Sequence, residues 1–285
     1  MTVGNNVAGN IASFVNTIWE DALMVARENS LATSLVQVFT GTSGTAIRSN
    51  ATWGTATINS ITDADDMTSQ VFSPTSYQSL TPAEYGAQFF ITDTRIETDP
   101  FGVRQEAALE LGQALGESID KAVFSNFASL TAGTIGTTGS VLTWKYFFAM
   151  ASLMQAAHAP KPWVFVCHPH QFYRLGSAAS IGATVTNAPA LQDAFSQNFF
   201  VQKVAGIDIY VSSNMTASST DYKTAMFSRP ALAYDVRRAP RLEYERDASR
   251  RGWELNLSAV YAHGVWQPRY GVYGLFAGAA PDGTS

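Results

Sequence analysis

Charge is what this sequence has least of: 14% of its 285 residues are Asp, Glu, Lys or Arg, where an average globular chain carries about a quarter. Ser, Thr, Gly and Ala fill the difference. That fits a surface covered by other subunits, and also a large sandwich or barrel with a neutral exterior. Basic charge is scarcer than acidic. A net charge of −5 excludes the strongly basic footprint of a dedicated nucleic-acid binder, although not a local DNA-facing patch. Cysteine is nearly missing, and the single Cys167 rules out an internal disulfide framework and fits a reducing cytosol. No apolar run reaches the ~18 residues of a membrane span. The opening MTVGNNVAGN lacks the basic stretch of a signal peptide, so a protein made and used in solution, with no membrane partner, is expected.

What is present is apolar. Residues of that kind make up 46% of the chain and aromatics 12%, which excludes disorder and leaves room for one large or two small domains. The organising stretch is Asp99 to Phe127, which reads as one helix of roughly eight turns. Asp99 suits an N-cap and Pro100 the first helical position. Val103, Ala107, Leu111, Leu115, Ile119 and Val123 recur every four residues, so the apolar stripe drifts about 40° per step and winds slowly around the rod. Gly112 and Gly116 lower helicity by ~1 kcal/mol each, a cost best explained by another backbone approaching that face. The rod is a spine with a sheet laid against it.

Before the spine, residues 10–29 read as a helix, with Ile11, Phe14, Val15, Ile18, Ala22 and Val25 on one side. Residues 34–39 read as a strand closed by the turn at 41–44. From Thr45 to Thr98 the pattern is β-type, with Thr52, Thr55, Thr57 and Ile58 on one limb. Val71, Phe72, Tyr77, Leu80, Tyr85, Phe89, Phe90 and Ile91 fall on later strands broken at Pro74 and Pro82. Such a ribbon is marginal alone, so its stability is expected from another subunit.

After the spine, TAGTIGTTGS at 131–140 reads as a flexible connector. A helix at 143–158 with Phe147, Met150, Met154 and Ala157 inside is followed by a buried strand at 163–168 and a short helix after Pro169. A helix at 191–200 comes next, then two strands meeting at Gly206. Helices alternating with short strands make a compact α/β lobe ending near Thr224. Residues 225–236 read as a strand pair and 241–276 as a long antiparallel hairpin. In it Leu242, Tyr244 and Arg246 alternate with Glu243, Glu245 and Asp247, and Trp253, Leu255, Leu257, Ala259 and Tyr261 alternate with polar neighbours. This hairpin is the sheet expected on the spine, and the tail AGAAPDGTS is expected to fray.

Candidate chemistry is thin. Cys167, His168 and His170, with His158, could form a nucleophile and base or part of a metal set, but adjacent strand residues face opposite ways. A buried structural cysteine is the reading adopted. Asp63, Asp65 and Asp66 lack the Gly and distal Glu of a calcium loop and read as a solvated tip. The glycine-rich run at 133–139 lacks the Lys-Ser/Thr ending of a phosphate loop. Arg237, Arg238, Arg241, Arg246, Arg250 and Arg251 cluster among Asp235, Glu243, Glu245 and Asp247. They suit subunit-to-subunit ion pairs better than a DNA-facing patch, although arginine serves either. No catalytic, cofactor or metal residue is assigned.

The order of parts is similar to that of the major capsid protein of tailed double-stranded-DNA bacteriophages, a fold shared with encapsulins and the herpesvirus capsid floor. LTPAEYGAQFFITDTRIETDPFGVRQEAALELGQALGESIDKAVF at 80–124 carries most of the resemblance. It reads as the passage from the second limb of that family's extended loop (Leu80, Tyr85, Gly86, Ile91) into the spine, with Asp120 near the spine's end. WVFVCHPHQFYRL, GIDIYVSSNM, AMFSRPALAYDVRR and RYGVYGLF resemble the strands that follow. The resemblance implies an α+β fold divided into an N-terminal arm and helix (1–44), an extended β-loop (45–98), a peripheral domain with the spine helix and long β-hairpin (99–135 and 225–277), an axial α/β domain (136–224) and a flexible tail (278–285).

It further implies hexamers and pentamers in an icosahedral head shell around packaged DNA, touched non-specifically, with a portal and possible separate scaffold or decoration proteins as partners. Synthesis in the host cytoplasm follows. Tyr77, Tyr85, Phe89 and the six arginines are the expected inter-subunit contacts. The chain departs from relatives that lock their shells by a lysine–asparagine isopeptide bond, because no lysine precedes Lys121. It also lacks a long charged helical segment before its first helix, so any scaffold is expected to be a separate protein. Two alternatives stay open: an encapsulin-type nanocompartment shell and a cysteine hydrolase built on the α/β lobe.

Overall fold

The structure is a computed structural model that describes residues 30–280 apart from 42–43, 54–55, 64–65, 68, 99–102, 181–199, 216 and 219. The expected helix at 10–29, the expected helix at 191–200 except Phe200, which begins a strand, the Asp99–Pro100 start of the spine and Asp65 lie outside the described residues.

The described chain opens with a one-turn helix α1 (Ala32–Leu35) and strand β1 (Gln37–Phe39), where the sequence predicts a single strand. β2 (Arg48–Trp53) and β3 (Pro74–Leu80) form a two-stranded antiparallel ribbon. Pro82 then separates β3 from β4 (Ala83–Thr92). A short helix α2 (Asp93–Glu97), whose Thr92 N-cap hydroxyl accepts from Arg95 N, leads toward the spine α3 (Val103–Phe124). The spine ends in a 3-10 turn, Ser125–Ser129, because the Asn126 amide donates to the carbonyls of Ala122 (2.9 Å) and Val123 (3.1 Å), satisfying two of the helix's last acceptors.

The expected flexible connector is ordered: it contains strand β5 (Gly133–Ile135), which pairs in parallel with a later strand. Glycine is there for close approach. A Cβ on Gly133 would sit 2.5 Å from Leu153 Cδ1, and Gly136 has φ +81° with Leu275 O 2.5 Å from where its Cβ would be. α4 (Trp144–Ala156), β6 (Trp163–Cys167), α5 (Pro169–Ser180), β7 (Phe200–Val204) and β8 (Ile207–Val211) follow. Ala205 (φ 52°) and Gly206 (φ 80°) join β7 to β8 in the doubly positive geometry that two-residue hairpin turns require. β9 (Ala217–Ser218), β10 (Asp221–Ser228), β11 (Leu232–Asp247), β12 (Gly252–Val265) and β13 (Gly271–Ala277) complete the chain.

Two larger sheets result. One runs β1-β11-β12-β4, and the other, seven-stranded, runs β5-β13-β10-β6-β8-β7 with β9 on β10. Three placements differ from expectation. β4 pairs with β12 along Ala83–Thr92 instead of extending the ribbon. β10, which falls in the segment read as one strand pair, joins the α/β sheet. β13 leaves the hairpin and lies beside β10. The hairpin itself is as expected, with register shifts between Val236 and Arg241 around Pro240, which has no N–H to offer the ladder.

The spine lies on the hairpin sheet through Leu111, Leu115, Ile119 and Val123, which share one core with Leu255, Leu257, Ala259 and Tyr261. Gly112 and Gly116 are buried on this helix. β6 and β10 tie the two halves together because alternate side chains face opposite ways. Val164, Val166, Ala225 and Phe227 enter the spine core, while Trp163, Phe165, Cys167 and Met226 enter the core under α4, with Phe147, Met150 and Met154. Spine and lobe therefore share one continuous sheet.

Candidate assembly surface

The residues with chemical potential are spent on structure. Cys167 is buried, its Sγ 3.9 Å from Tyr210 O, and burial pushes its thiol pKa up. It makes no hydrogen bond to His168. The His168 ring stacks on Tyr222 at 3.7 Å and 4°, and its Nδ1 accepts from His170 N (3.2 Å). Burial, with a smaller contribution from the charge of His170, pushes its pKa down to about 4. The His170 ring contacts Gly278 O at 2.9 Å, holding the end of β13 in place. His158 sits at φ 50° in the turn that ends α4. No group of His, Cys, Asp and Glu among the described residues can hold a metal ion.

Asp120, fully buried in the spine, is a junction whose job residue type alone does not reveal. Its carboxylate accepts from Ser30 Oγ (3.1 Å), Leu31 N (3.2 Å), Ala32 N (2.9 Å) and Asn214 Nδ2 (3.3 Å). It thereby anchors the start of α1 and the segment after β8 to one helix. Burial raises its pKa against the lowering effect of those donors.

The arginines of the hairpin face acids of their own chain. Arg237 meets Asp235 at 2.9 Å, Arg238 meets Glu84, Arg241 meets Glu243 at 3.0 Å and Arg250 meets Glu254 at 3.4 Å. Arg246 forks onto both oxygens of Asp93 (2.5 and 2.8 Å), holding that carboxyl below its ordinary pKa. Arg251 is exposed with φ 50° and adds to the field on Asp93. Two of the partners, Glu84 and Asp93, lie on β4 or just after it, about 150 residues away in sequence, so nothing in the local charge pattern announces them. Tyr85 stacks on Tyr261 (4.2 Å, 14°) and Phe89 packs on the spine core. Of the three aromatics expected at contacts, only Tyr77 stands out in solvent, 67% exposed.

The ribbon is where apolar surface is left bare. Ile47, Trp53, Ile58, Ile61, Met67, Val71, Phe72 and Tyr77 are eight of the twelve exposed large apolar side chains among the described residues. Trp53 and Phe72 stack on each other at 4.7 Å and 9°, and Gln70 clips the far end by bonding both the N–H and the C=O of Thr57. Exposed apolar surface gathered on one arm marks an interaction site. A second receptive feature lies at the spine's edge, a groove of about 540 Å³ lined by Tyr85, Ala114, Glu117, Ser118, Lys121 and His263 among others.

Candidate chemical side chains engaged in structural contacts and, among the described residues, an apolar arm left bare fit a structural, shell-forming subunit. The profile described as phage capsid protein matches residues 76–274, and the chain belongs to that family. Solved structures agree on the fold. The chain is similar to the capsid of cyanophage P-SCSP1u (TM-score 0.61, 16% identity, 86% of this chain and 87% of that one). It is similar to the mature capsid of bacteriophage PhiM1 (TM-score 0.63, 12% identity, 87% of each). A virus-like particle from Pyrococcus furiosus is also similar (TM-score 0.60, 12% identity, 90% and 97%). A search of the curated proteins finds no match. The fold is thus the tailed-phage capsid fold, and the place of a phage capsid protein is the virion.

Proposed function

We propose that copies of this chain form hexamers and pentamers of an icosahedral head around packaged DNA, and that the ribbon of each copy lies across a neighbour. The bare apolar side chains of the ribbon carry this reading, since a two-stranded arm with no third strand is marginal in water and buries its surface only by docking. Tyr77 and the arm's other exposed apolar residues are the contacts we assign. The arginines, paired in cis, add to contacts through their unshielded edges. Portal, scaffold and decoration proteins would meet the assembled shell, DNA its inner face without sequence preference, and synthesis would be in the host cytoplasm. The division into arm, ribbon, peripheral and axial parts follows from the same reading, with β10 and β13 joining the last two.

Size-exclusion chromatography and negative-stain microscopy of the purified chain test this. Capsomers or closed shells are expected, with residues 48–80 cut first by protease in any unassembled fraction. A compact monomer at high concentration with a protease-resistant ribbon would overturn it. Shells from producing cells should contain DNA; enzyme cargo would point to a nanocompartment. Cys167→Ala should leave assembly intact with no turnover to lose.

A further inference from the structure

At the root of the ribbon three charged side chains meet, and their hydrogen-bonding capacities are not all used. Asp235 on β11, fully buried, accepts through one oxygen, Oδ2, from both Arg48 Nε (2.9 Å) and Arg237 Nη2 (2.9 Å). Among the described residues its Oδ1 has no partner, and neither have Nε and Nη1 of Arg237, whose side chain is 1% exposed. Buried polar atoms are nearly always paired, and an orphan costs more than a made bond returns. Here the orphans are complementary: a carboxylate oxygen on one residue and two N–H donors on its neighbour along the strand. Such a pair commonly engages as a fork with two parallel bonds. This one has a single bond, on an oxygen that Arg48 shares.

Arg48 is the most exposed of the three. It opens β2, its side chain is 27% exposed, and its guanidinium lies 4.6 Å from the centre of the Phe39 ring. Opposite it in register is Leu80, fully buried with Ala233 and Ala262, from which the chain runs through Thr81 and Pro82 into β4. One limb of the ribbon is therefore fixed to the body. The other is held at its root by Arg48 and by Asn50 Nδ2 donating to Trp266 O (3.0 Å).

We propose that the ribbon root is a two-position latch. Arg48 closes it onto Asp235 in the state seen here. When Arg48 leaves, Arg237 turns into a two-bond fork on Asp235, so the ribbon pivots about Leu80 without leaving a buried carboxylate unpaired. Opening gives up an ion pair, a cation–π contact and the Asn50–Trp266 hydrogen bond and returns partners to Asp235 Oδ1 and Arg237 Nε. The two states are close in free energy for that reason, and the ribbon's angle to the body can be set by whatever it touches.

A double-mutant cycle on the full chain, kept dilute enough to stay unassembled, tests the latch independently of shell formation. Arg48→Ala should speed proteolytic cleavage within 48–80 about tenfold while the unfolding midpoint of the body moves by only a few degrees. Arg237→Met should leave the ribbon closed. Together they should destabilise far beyond their sum, because Asp235 is then buried without a cation. Should that double variant not fold, adding Asp235→Asn to it removes the stranded charge and should restore a folded chain with a released ribbon. Additive losses, an Arg48→Ala chain whose ribbon is cut no faster, or a triple variant as unstable as the double would each overturn the latch.

Discussion

Two antiparallel strand pairs in this chain are built alike locally and end in opposite circumstances. β11 and β12 are flanked by β1 and β4 and lie on the spine, with Leu255, Leu257, Ala259 and Tyr261 all at most 5% exposed. Among the described residues β2 and β3 pair only with each other, and Leu80 at the root is the one buried residue among those described in the ribbon. Backbone pairing is common to both, so pairing is not what separates a stable element from a dependent one. The difference is a third neighbour and an apolar face to bury.

The largest effect should come from cutting into the hairpin's seat. Tyr261 stacks on Tyr85, packs near Tyr234 and hydrogen-bonds Ser118 of the spine at 3.1 Å. Tyr261→Ala should cost about 4 kcal/mol in urea unfolding, whereas Tyr77→Ala on the ribbon should stay within about 0.5 kcal/mol. Equal losses at the two sites would erase the contrast. Next comes the junction that supports the hairpin's spine: Asp120→Ala strands four donors from two parts of the chain, residues 30–32 and Asn214, at about 3 kcal/mol. Hydrogen exchange at Leu31 and Ala32 should quicken with it, and unchanged exchange there would mean that Asp120 does not hold α1.

How much of this was legible depends on how far apart the partners lie. The hairpin could be read because Leu242 to Asp247 and Trp253 to Tyr261 alternate with period two, and only one register buries the apolar set. The spine could be read for the analogous reason at helical spacing. β13 could not: a strand pattern says nothing about which sheet receives it, and the turn at Pro268–Tyr270 swings this one onto β10. The connector at 131–140 misled because glycine for flexibility and glycine for close packing look identical, and here Leu153 and Phe276 crowd the missing side chains. On the candidate assembly surface, the sequence pattern predicts β-structure before the spine, and β2 and β3 lie there. It missed the Trp53–Phe72 pair and the cis partners of the arginines, because Arg246 finds Asp93 and Arg238 finds Glu84 only after β4 docks on β12.

Acid separates the two elements another way. His168 is held near pH 4 in the fold, below its ordinary 6.5, so it folds neutral. Its contribution is complete above about pH 6.5 and is lost as pH falls toward 4, amounting to about 3 kcal/mol. Asp120, with its pKa raised, runs the other way and partly offsets the loss. Unfolding at stepped pH should show the loss, and His168→Gln should remove it. Hydrogen exchange in β11 and β12 should rise with acid once intrinsic rates are corrected, while the ribbon, already open to solvent, should change little. A ribbon that tracked the hairpin through this titration would be part of the same cooperative unit.

The smallest effect on stability should bring the sharpest effect on assembly. Trp53→Ser with Phe72→Ser removes the stacked pair from the ribbon, 48% and 69% exposed. Because those rings rest on each other and not on the body, the unfolding free energy of the isolated chain should move by less than about 0.5 kcal/mol. Docked against a neighbour the same rings would be buried, at about 2 kcal/mol each, and an assembled shell repeats that contact at every subunit. The double variant should therefore remain folded by circular dichroism yet stay below capsomer size in chromatography at concentrations where the parent assembles. Normal assembly by this variant would remove the ribbon from the interface. A folded chain that no longer associates would show that the two strand pairs differ in where their third neighbour comes from: the hairpin finds it in its own chain, the ribbon in the next.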